Sequence, residues 1–481
     1  MFSIHMPSTL TTALVAGLYV LLALTVTVDV LLKKSDVRSA LGWIAAAWFS
    51  PILGGVFYYM FGINRVTRRA LKRMGGLSEP HAGPSEKYDP PDAAPDAPAQ
   101  IRELIEASFR VTSSPLTAGN HLEALDGGDA AYPAMLRAIK EAKAGIAMAS
   151  YIFRDDAAGA EFCEALIAAR ARGVRVCVLL DSVGAGYFFP RIFHRLRAGG
   201  VDAARFLHTW LPWRMPFLNM RNHRKILVVD GSIAFMGGMN VGAENCARLH
   251  PKAYIDDIHF HVRGPVVRMV MEAFARDWAF TNGDNLDEEF WWPNPAAAGP
   301  VHARGLSSGP DADIYKLDMI LGAALTLAKK RIRILTPYFL PDARLQFAIA
   351  QAGLRGVNVE IVIPENCNLF YMNWAMRAHL RFFQHVAANV YTTPEPFDHS
   401  KLCTVDDCWA VIGSSNWDAR SFRLNFEFDL ECYDPELTGK LDAMIDAKIA
   451  KGKKLDVSAL VSRPVPGRLR DAAARLLMPY L

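Results

Sequence analysis

The strongest constraint on this chain is that one plan of elements is written in it twice. The first copy reads "AKAGIAMASYIF", then "ALIAARARGVRVCVLLDSVG", then "RNHRKILVVDGSIAFMGGMN". The second reads "AKKRIRILTPYFLPD", then "FAIAQAGLRGVNVEIVIP", then "DHSKLCTVDDCWAVIGSSN". In each, a strand ending in an aromatic leads to an amphipathic helix that closes on Arg-Gly-Val, and a buried strand follows. A His-x-Lys strand and a Gly-x-x-Asn turn complete the copy. Strands alternating with helices need crossover connections, so the fold class is α/β with mixed or parallel sheets flanked by helices. Two copies of this length predict a pseudo-symmetric pair of domains rather than a solenoid.

Within the copies, His223, Lys225, Asp230 and Asn240 recur at the same intervals as His399, Lys401, Asp406 and Asn416. Residues two apart in a strand share a face, so each His and its Lys are predicted to project together into one site. The Asp lies on the opposite parity and beside a turn. It reads as structural, closing that turn, rather than as a proton carrier. One such match arises easily by accident, but two inside a wider repeat do not.

Two imidazoles, two ammonium groups and two amides around a pseudo-twofold axis suit a phosphodiester. Lys225, Lys401, Asn240 and Asn416 are placed to hold the non-bridging oxygens and offset charge building at phosphorus. One histidine attacks phosphorus while the other protonates the leaving oxygen. Because lysines and asparagines supply the charge stabilisation, the scheme calls for no metal and no cofactor. Each imidazole also needs an anion on its far nitrogen to fix its tautomer.

With 51% hydrophobic residues, the chain invites a search for membrane segments. Residues 10–32 and 40–62 are each apolar enough to cross about 30 Å of hydrocarbon as a helix. The first is too long for a leader's apolar region and lacks a basic stretch before it, so an uncleaved helix is expected. Pro51 is expected to kink the second helix, and Gly54 and Gly55 to let it pack closely on the first. "KKSDVR" makes the pair a hairpin. Arg65, Arg68, Arg69, Lys72 and Arg73 after it outweigh Lys33, Lys34 and Arg38 within it, which puts the main body in the cytoplasm. The net charge of +4 is too mild to argue for nucleic acid. Seven scattered cysteines form no C-x-x-C pair or metal cluster, and a disulfide framework is not expected.

With these residues in place, the chain resembles the phospholipase D superfamily, whose members carry two such His-Lys-Asp motifs, and within it the bacterial cardiolipin synthases. The likeness rests on "RSALGWIAAAWFSPILGGVFYYMFG", "RNHRKILVVDG", "TPYFLPD" and "GSSNWDARSFRLNFE", and it spans nearly the whole chain outside residues 75–99. The resemblance implies His223 as nucleophile, a phosphatidyl-histidine intermediate, and His399 as acid and then base. Symmetry leaves the swapped assignment open. It also implies Asp257 in "YIDDIHFHVRGP" and Glu427 in "RLNFEFDLE" as the acids that orient the imidazoles, with Asp256 a neighbouring candidate.

The implied reaction moves a phosphatidyl group from one phosphatidylglycerol to another, giving cardiolipin and glycerol. Such an exchange of one primary-alcohol diester for another is close to isoenergetic and needs no nucleotide. Water as acceptor would make the chain a phospholipase D instead, and a nuclease of the same superfamily is a further alternative. The partners expected are a phospholipid and the membrane, here the cell inner membrane, with no nucleic acid.

The expected organisation is a membrane hairpin at 1–74 and a flexible linker at 75–99. A first domain at 100–285, a linker at 286–311 and a second domain at 312–481 follow. The loop "LPWRMPFLNM" reads either as lipid-facing or as a buried aromatic cluster. In the C-terminal helix Leu469, Ala473, Leu476 and Leu477 share a face, with Arg468, Arg470 and Arg475 elsewhere, so it lies on an anionic bilayer or packs on the domain. Tyr151 and Tyr338, which end the equivalent strands, read as core packing, and Asp181 and Gly184 as site-edge positions.

Overall fold

A computed structural model describes residues 8–34, 36–59, 97–210, 220–251, 254–311, 313–386 and 388–476. The "LPWRMPFLNM" loop up to residue 219, most of the 75–99 stretch and Leu477 lie outside them.

The N-terminal unit begins with the helix Ser8–Lys33. Its Thr11–Lys33 part has a mean hydropathy of 2.3, and among the described residues it is the one helix long and apolar enough to cross a membrane. The second expected span is divided into Val37–Phe49 and Pro51–Phe57. Pro51 has no N–H to continue the ladder, so the helix stops at Ser50, which leaves the helical region at φ −148°, and restarts with proline in its first turn. The Asp36 carboxylate caps the second helix by accepting the Ser39 N–H at 2.7 Å. The pieces fold back on the first helix. Val26, Val30, Ala47 and Tyr58 bury together, the Tyr58 hydroxyl donates to Asp29 at 2.7 Å, and the Trp48 indole donates to Thr27 at 3.1 Å. Gly54 serves the kink rather than the first helix: a Cβ there would stand 2.2 Å from the Ala46 carbonyl oxygen.

The catalytic body opens with the helix Ala99–Thr112 and the strand β1 (Thr117–Asp126). The first half then supplies β2 (Gly145–Ser150), β3 (Arg175–Asp181), β4 (Asp202–Phe206), β5 (Ile226–Val229), β6 (Ile233–Gly237) and β7 (Ile258–Arg263). The second supplies β8 (Val301–Ser308), β9 (Arg331–Leu335), β10 (Asn358–Pro364), β11 (Ala388–Thr393), β12 (Leu402–Val405), β13 (Trp409–Gly413) and β14 (Asn425–Tyr433). All lie in one sheet in the order β11-β10-β9-β12-β13-β14-β8-β1-β7-β6-β5-β2-β3-β4. Read outward from the antiparallel β1–β8 pair at the centre, the two halves mirror each other strand for strand. The stretch 286–311, expected to link them, instead carries β8, a mostly buried strand that joins both halves. Its "VHARGLSS" lies between two Gly-Pro breaks, which is why it reads as loop.

Local chemistry repeats with the topology. Asp156 and Asp342 cap the crossover helices Ala157–Ala171 and Ala343–Leu354, accepting the N–H of Gly159 and those of Arg344 and Leu345. Both helices end on the expected Arg-Gly-Val, where Gly173 and Gly356 take φ of 93° and 88°, a left-handed turn that glycine adopts without strain. Val176, Val178 and Leu180 in one half, and Val359, Ile361 and Ile363 in the other, centre two apolar cores. The C-terminal helix Val465–Arg475 packs on the helix Phe370–Leu380 through Ala474, with Arg470 over the Trp374 ring. Its Leu469, Ala473 and Leu476 face outward, so packing on the domain uses a different face from the apolar one.

Candidate active site

The expected His-x-Lys strand is two strands with the motif at their break. Arg221–Asn222 pairs in parallel with Asn425–Phe426 of the other half, whereas β5 pairs with β2 and β6 of its own. Likewise Phe397–Asp398 pairs with Ile255–Asp256, and β12 with β9 and β13. The chain changes partners across the pseudo-axis at each histidine. The His223 N–H donates to the Phe426 carbonyl at 2.9 Å, and the His399 N–H to the Asp256 carbonyl at 2.7 Å. That change of partner sets each histidine one residue from an acid of the opposite half.

The acids are therefore crossed. His223 Nδ1 lies 2.9 and 2.8 Å from the two oxygens of Glu427, and His399 Nδ1 lies 2.8 Å from Asp257 Oδ2. Both carboxylates are fully buried. Asp256, the neighbour of Asp257, points elsewhere and pairs with Lys448 at 2.8 Å. Lys225 Nζ donates to the His223 carbonyl at 2.7 Å, and Lys401 Nζ donates to the His399 carbonyl. Lys401 Nζ also sits 2.9 Å from His399 Nδ1. One ring nitrogen cannot both donate to a carboxylate and accept from an ammonium, and the His223 pair, with its lysine on the carbonyl, argues for the carboxylate bond. Both imidazoles then carry Nδ1–H and offer Nε2 to the centre.

Burial dominates the electrostatics. The His223 imidazolium is disfavoured by burial and then by the ammonium groups of Lys225 and Lys401, which holds its pKa well below the usual value. Burial and Lys401 bring His399 down to about 4. Burial lowers Lys225 to about 7 against the pull of Glu427, and lowers Lys401 too. Burial lifts Glu427 to about 6, with Lys225 and the donors on its oxygens opposing. Asp257 goes the other way: burial would raise it, but Lys401 and the bond from His399 outweigh that and hold it below its usual value.

The surroundings of the acids differ. Glu427 accepts from the hydroxyls of Ser414 (2.7 Å) and Ser421 (2.9 Å) and from Asn425 Nδ2 (3.0 Å). Asp257 accepts the Ile258 N–H at 2.8 Å, and Gly238 stands where the second half has Ser414. A Cβ on Gly238 would lie 2.5 Å from Asp257.

The other expected residues divide. Asn240 follows β6, and its Oδ1 accepts the Ile152 N–H at 3.1 Å, which ties it to the segment after Tyr151. Asn416 shares a small cavity with Lys401. Asp230 and Asp406 lie a strand's length from the histidines and stand apart from the reacting groups. Asp230 accepts the N–H groups of Lys143 (3.0 Å), Ala144 (2.8 Å) and Gly145 (2.9 Å), and Asp406 those of Lys329, Lys330 and Arg331 (2.7, 2.7 and 3.0 Å). They do more than close their own turns: each grips the start of the neighbouring strand. Tyr151 and Tyr338 are more than core. Their rings meet His223 and His399 edge-on, with centroids 4.9 and 6.3 Å apart. Their shared place at the end of equivalent strands was the signal. Asp181 ends β3 as expected and accepts the N–H groups of Val183, Gly184 and Asn222, so it braces the segment carrying His223.

A duplicated fold with two crossed His–acid pairs and two lysines in one buried centre defines a phosphodiester-transferring enzyme of the phospholipase D type. The sequence pattern of the family described as "Cardiolipin synthase, PLD-like domain" matches residues 135–278 and 321–449, and that described as "Phospholipase_D-nuclease N-terminal" matches 21–62. The chain belongs to the first of these, the phospholipase D-like cardiolipin synthase family. It is 31% identical to cardiolipin synthase A of Pseudomonas aeruginosa, covering 97% of this chain and 96% of that one. It is 29% identical to the major cardiolipin synthase ClsA of Bacillus subtilis, covering 98% and 99%. A crystal structure of phosphatidylserine synthase from Haemophilus influenzae shares the fold, with a TM-score of 0.62 at 17% identity over 79% of this chain and all of that one.

Proposed function

We propose that the chain is a cardiolipin synthase that transfers a phosphatidyl group from one phosphatidylglycerol to the primary hydroxyl of another, releasing glycerol. The observation that carries this reading is the crossed pairing, which places two imidazoles with fixed tautomers and two buried ammonium groups around one point. Asp257 stays ionised, so it favours a proton on His399. Glu427 already accepts from Ser414, Ser421 and Asn425, and burial with the ammonium groups of Lys225 and Lys401 disfavours the imidazolium of His223, so His223 is held neutral. His223 is thus the nucleophile and His399 the acid. A phosphodiester between Lys225 and Lys401 offsets the part of the depression of His399 that the ammonium groups add to burial, and so favours its protonated form.

His223 Nε2 attacks phosphorus and the bond to the headgroup oxygen breaks. The His399 proton passes to that oxygen, and glycerol leaves. Neutral His399 then takes the proton of the acceptor hydroxyl, whose oxygen displaces His223 from phosphorus. Lys225, Lys401, Asn240 and Asn416 hold the phosphoryl oxygens throughout. One diester is broken and one is made.

The lipid side rests on the apolar surfaces. The Ser8–Lys33 helix crosses the inner membrane and the Val37–Phe57 segment returns, which leaves the body in the cytoplasm. The loop after β3 exposes Phe188 and Phe189, the start of the helix Phe370–Leu380 exposes Phe370, and the outer face of the C-terminal helix exposes Leu469 and Leu476. These sit against the bilayer.

The test uses the full chain in phosphatidylglycerol vesicles with EDTA, with His223→Ala beside it and lipids read by mass spectrometry. Cardiolipin and glycerol, absent with the variant, are expected. Phosphatidate alone would make water the acceptor and the chain a hydrolase.

A further inference from the structure

The residue before each motif histidine is held by the helix that follows the last strand of its own half, but by different chemistry. In the first half Asn222 Nδ2 donates to Asp277 Oδ2 at 2.6 Å, on the helix Val267–Asn282. In the second, the Asp398 carboxylate lies 2.7 Å from Lys448 Nζ, on the helix Pro435–Lys451. Lys448 makes a further ion pair, at 2.8 Å, with Asp256 of the first half.

Lys448 stands where an apolar residue would serve packing. Leu437, Leu441 and Ile445 are buried at helical spacing, and Lys448 continues their row on the last turn. Its ammonium meets two segments that run side by side in parallel, with Asp398 opposite Asp256. Carboxylates brought together in this way repel unless a cation joins them. The next residue on each segment belongs to the reacting pair: Asp257 follows Asp256, and His399 follows Asp398. The His399 N–H donates to the Asp256 carbonyl at 2.7 Å, so the same short ladder sets the imidazole against its acid. Asp398 Oδ1 also accepts the Ser400 N–H at 3.0 Å, which fixes the turn into Lys401. The register behind the 2.8 Å contact of His399 Nδ1 with Asp257 therefore depends on one ammonium group.

We propose that Lys448 is a positioning residue for proton transfer: it clamps Asp256 to Asp398 and so keeps His399 aligned with Asp257. It does this from outside the reacting groups and leaves the His223–Glu427 pair alone. This rests on the assignment of His399 as the proton carrier.

The test compares two donors that differ in their need for a proton, both given to the full chain in vesicles of one composition. Phosphatidylglycerol must release glycerol, whose oxygen takes the His399 proton. The p-nitrophenyl ester of phosphatidate releases p-nitrophenolate, which leaves with the electron pair of the broken P–O bond and needs no proton. A burst of p-nitrophenolate thus reports the attack of His223 Nε2 on phosphorus by itself. Lys448→Met is expected to lower cardiolipin formation by about a hundredfold, the cost of a misplaced proton donor, while the burst rate changes by less than about threefold. His399→Ala should show the same split more strongly. Lys448→Arg restores most of the loss, since its fork reaches two carboxylates. Asp256→Asn keeps the pair of Lys448 with Asp398 and so guards against a variant that fails to fold; the same split is expected, at about tenfold. Burst and cardiolipin lowered to one extent in both variants, or neither lowered, overturns this inference alone. Loss of the burst in His399→Ala would overturn the assignment of the proton carrier and this inference with it. If the wild-type chain makes phosphatidate and no cardiolipin, the synthase reading falls, and the split, read on phosphatidate, still decides the part of Lys448.

Discussion

The two histidine–acid pairs are built from the same repeat but are not equivalent. Glu427 sits among Ser414, Ser421 and Asn425 and is pushed up to about 6, whereas Asp257 has the Ile258 amide and a nearby lysine and is pushed down. Burial raises Glu427 and the donors of Ser414, Ser421 and Asn425 only partly offset it, whereas at Asp257, with Gly238 in place of Ser414, Lys401 and the bond from His399 outweigh burial. A duplicated site need not divide labour by acquiring new catalytic groups. Changing what surrounds each acid is enough to set the two pairs apart electrostatically.

The sharpest way to break this comparison is to remove one histidine at a time. His223→Ala is expected to cost at least about a thousandfold in transfer and to leave no covalent lipid on the protein. His399→Ala should still attack a donor with a good leaving group and accumulate a phosphatidyl adduct, seen by intact mass. The adduct on the His223→Ala protein instead would exchange the roles of the halves.

The crossing itself predicts the next effect. Glu427→Gln removes the anion that fixes the His223 tautomer, and a loss of about 10²–10⁴ in kcat is expected. It should resemble His223→Ala in failing to form the adduct. Asp257→Asn should resemble His399→Ala and form it. If each acid variant instead copies the histidine of its own half, the pairing is wrong.

Ser414→Gly makes the second turn read like the first and takes one donor from Glu427. A drop of about tenfold in kcat/KM is expected, from the loss of a bond to a charged group. The pH profile gives the finer readout. In the free wild-type enzyme kcat/KM should fall below about pH 6 as Glu427 gains a proton, and above about pH 7 as Lys225 loses one. With fewer donors favouring its charged form, Glu427 titrates higher in Ser414→Gly. The acid limb therefore moves to higher pH while the alkaline limb stays. A shift of both limbs would mean that the serine acts on the whole site.

The repeat and the two motifs were legible because the same residue types recur at the same spacing, whereas the two acids, at unequal intervals from their histidines, came only with the family resemblance. The crossing was not, because strand partners lie some 200 residues apart: Arg221 lies opposite Asn425, and nothing local marks the change of partner after Asn222. Tyr151 and Tyr338 looked like core because an aromatic at a strand end serves packing as well as it serves a histidine. The strand β8 was missed because "VHARGLSS", set between two Gly-Pro breaks, has no apolar run and only a short, weak alternation. Pro51 announced the break in the second N-terminal helix, as its chemistry requires.

The smallest expected effect on chemistry belongs to the third residue of each motif. Asp230 and Asp406 both hold three backbone N–H groups from left-handed positions, φ 51° and 53°. Asparagine tolerates that backbone, so Asp→Asn changes the charge and turns an amide toward the donors with little added strain. The residues stand a strand's length from the histidines, so kcat should change by less than about threefold while stability falls. A charge-assisted bond contributes about 1.5–3 kcal/mol, which for a body of this size lowers Tm by about 2–4 °C. The loss should be larger for Asp406→Asn, whose carboxylate is buried, than for Asp230→Asn, which is half-exposed and better screened. Calorimetry beside the transfer assay decides the point. A catalytic loss comparable to Glu427→Gln, with Tm unmoved, would bring the aspartates back among the reacting groups and undo the division between the motif's chemistry and its scaffold.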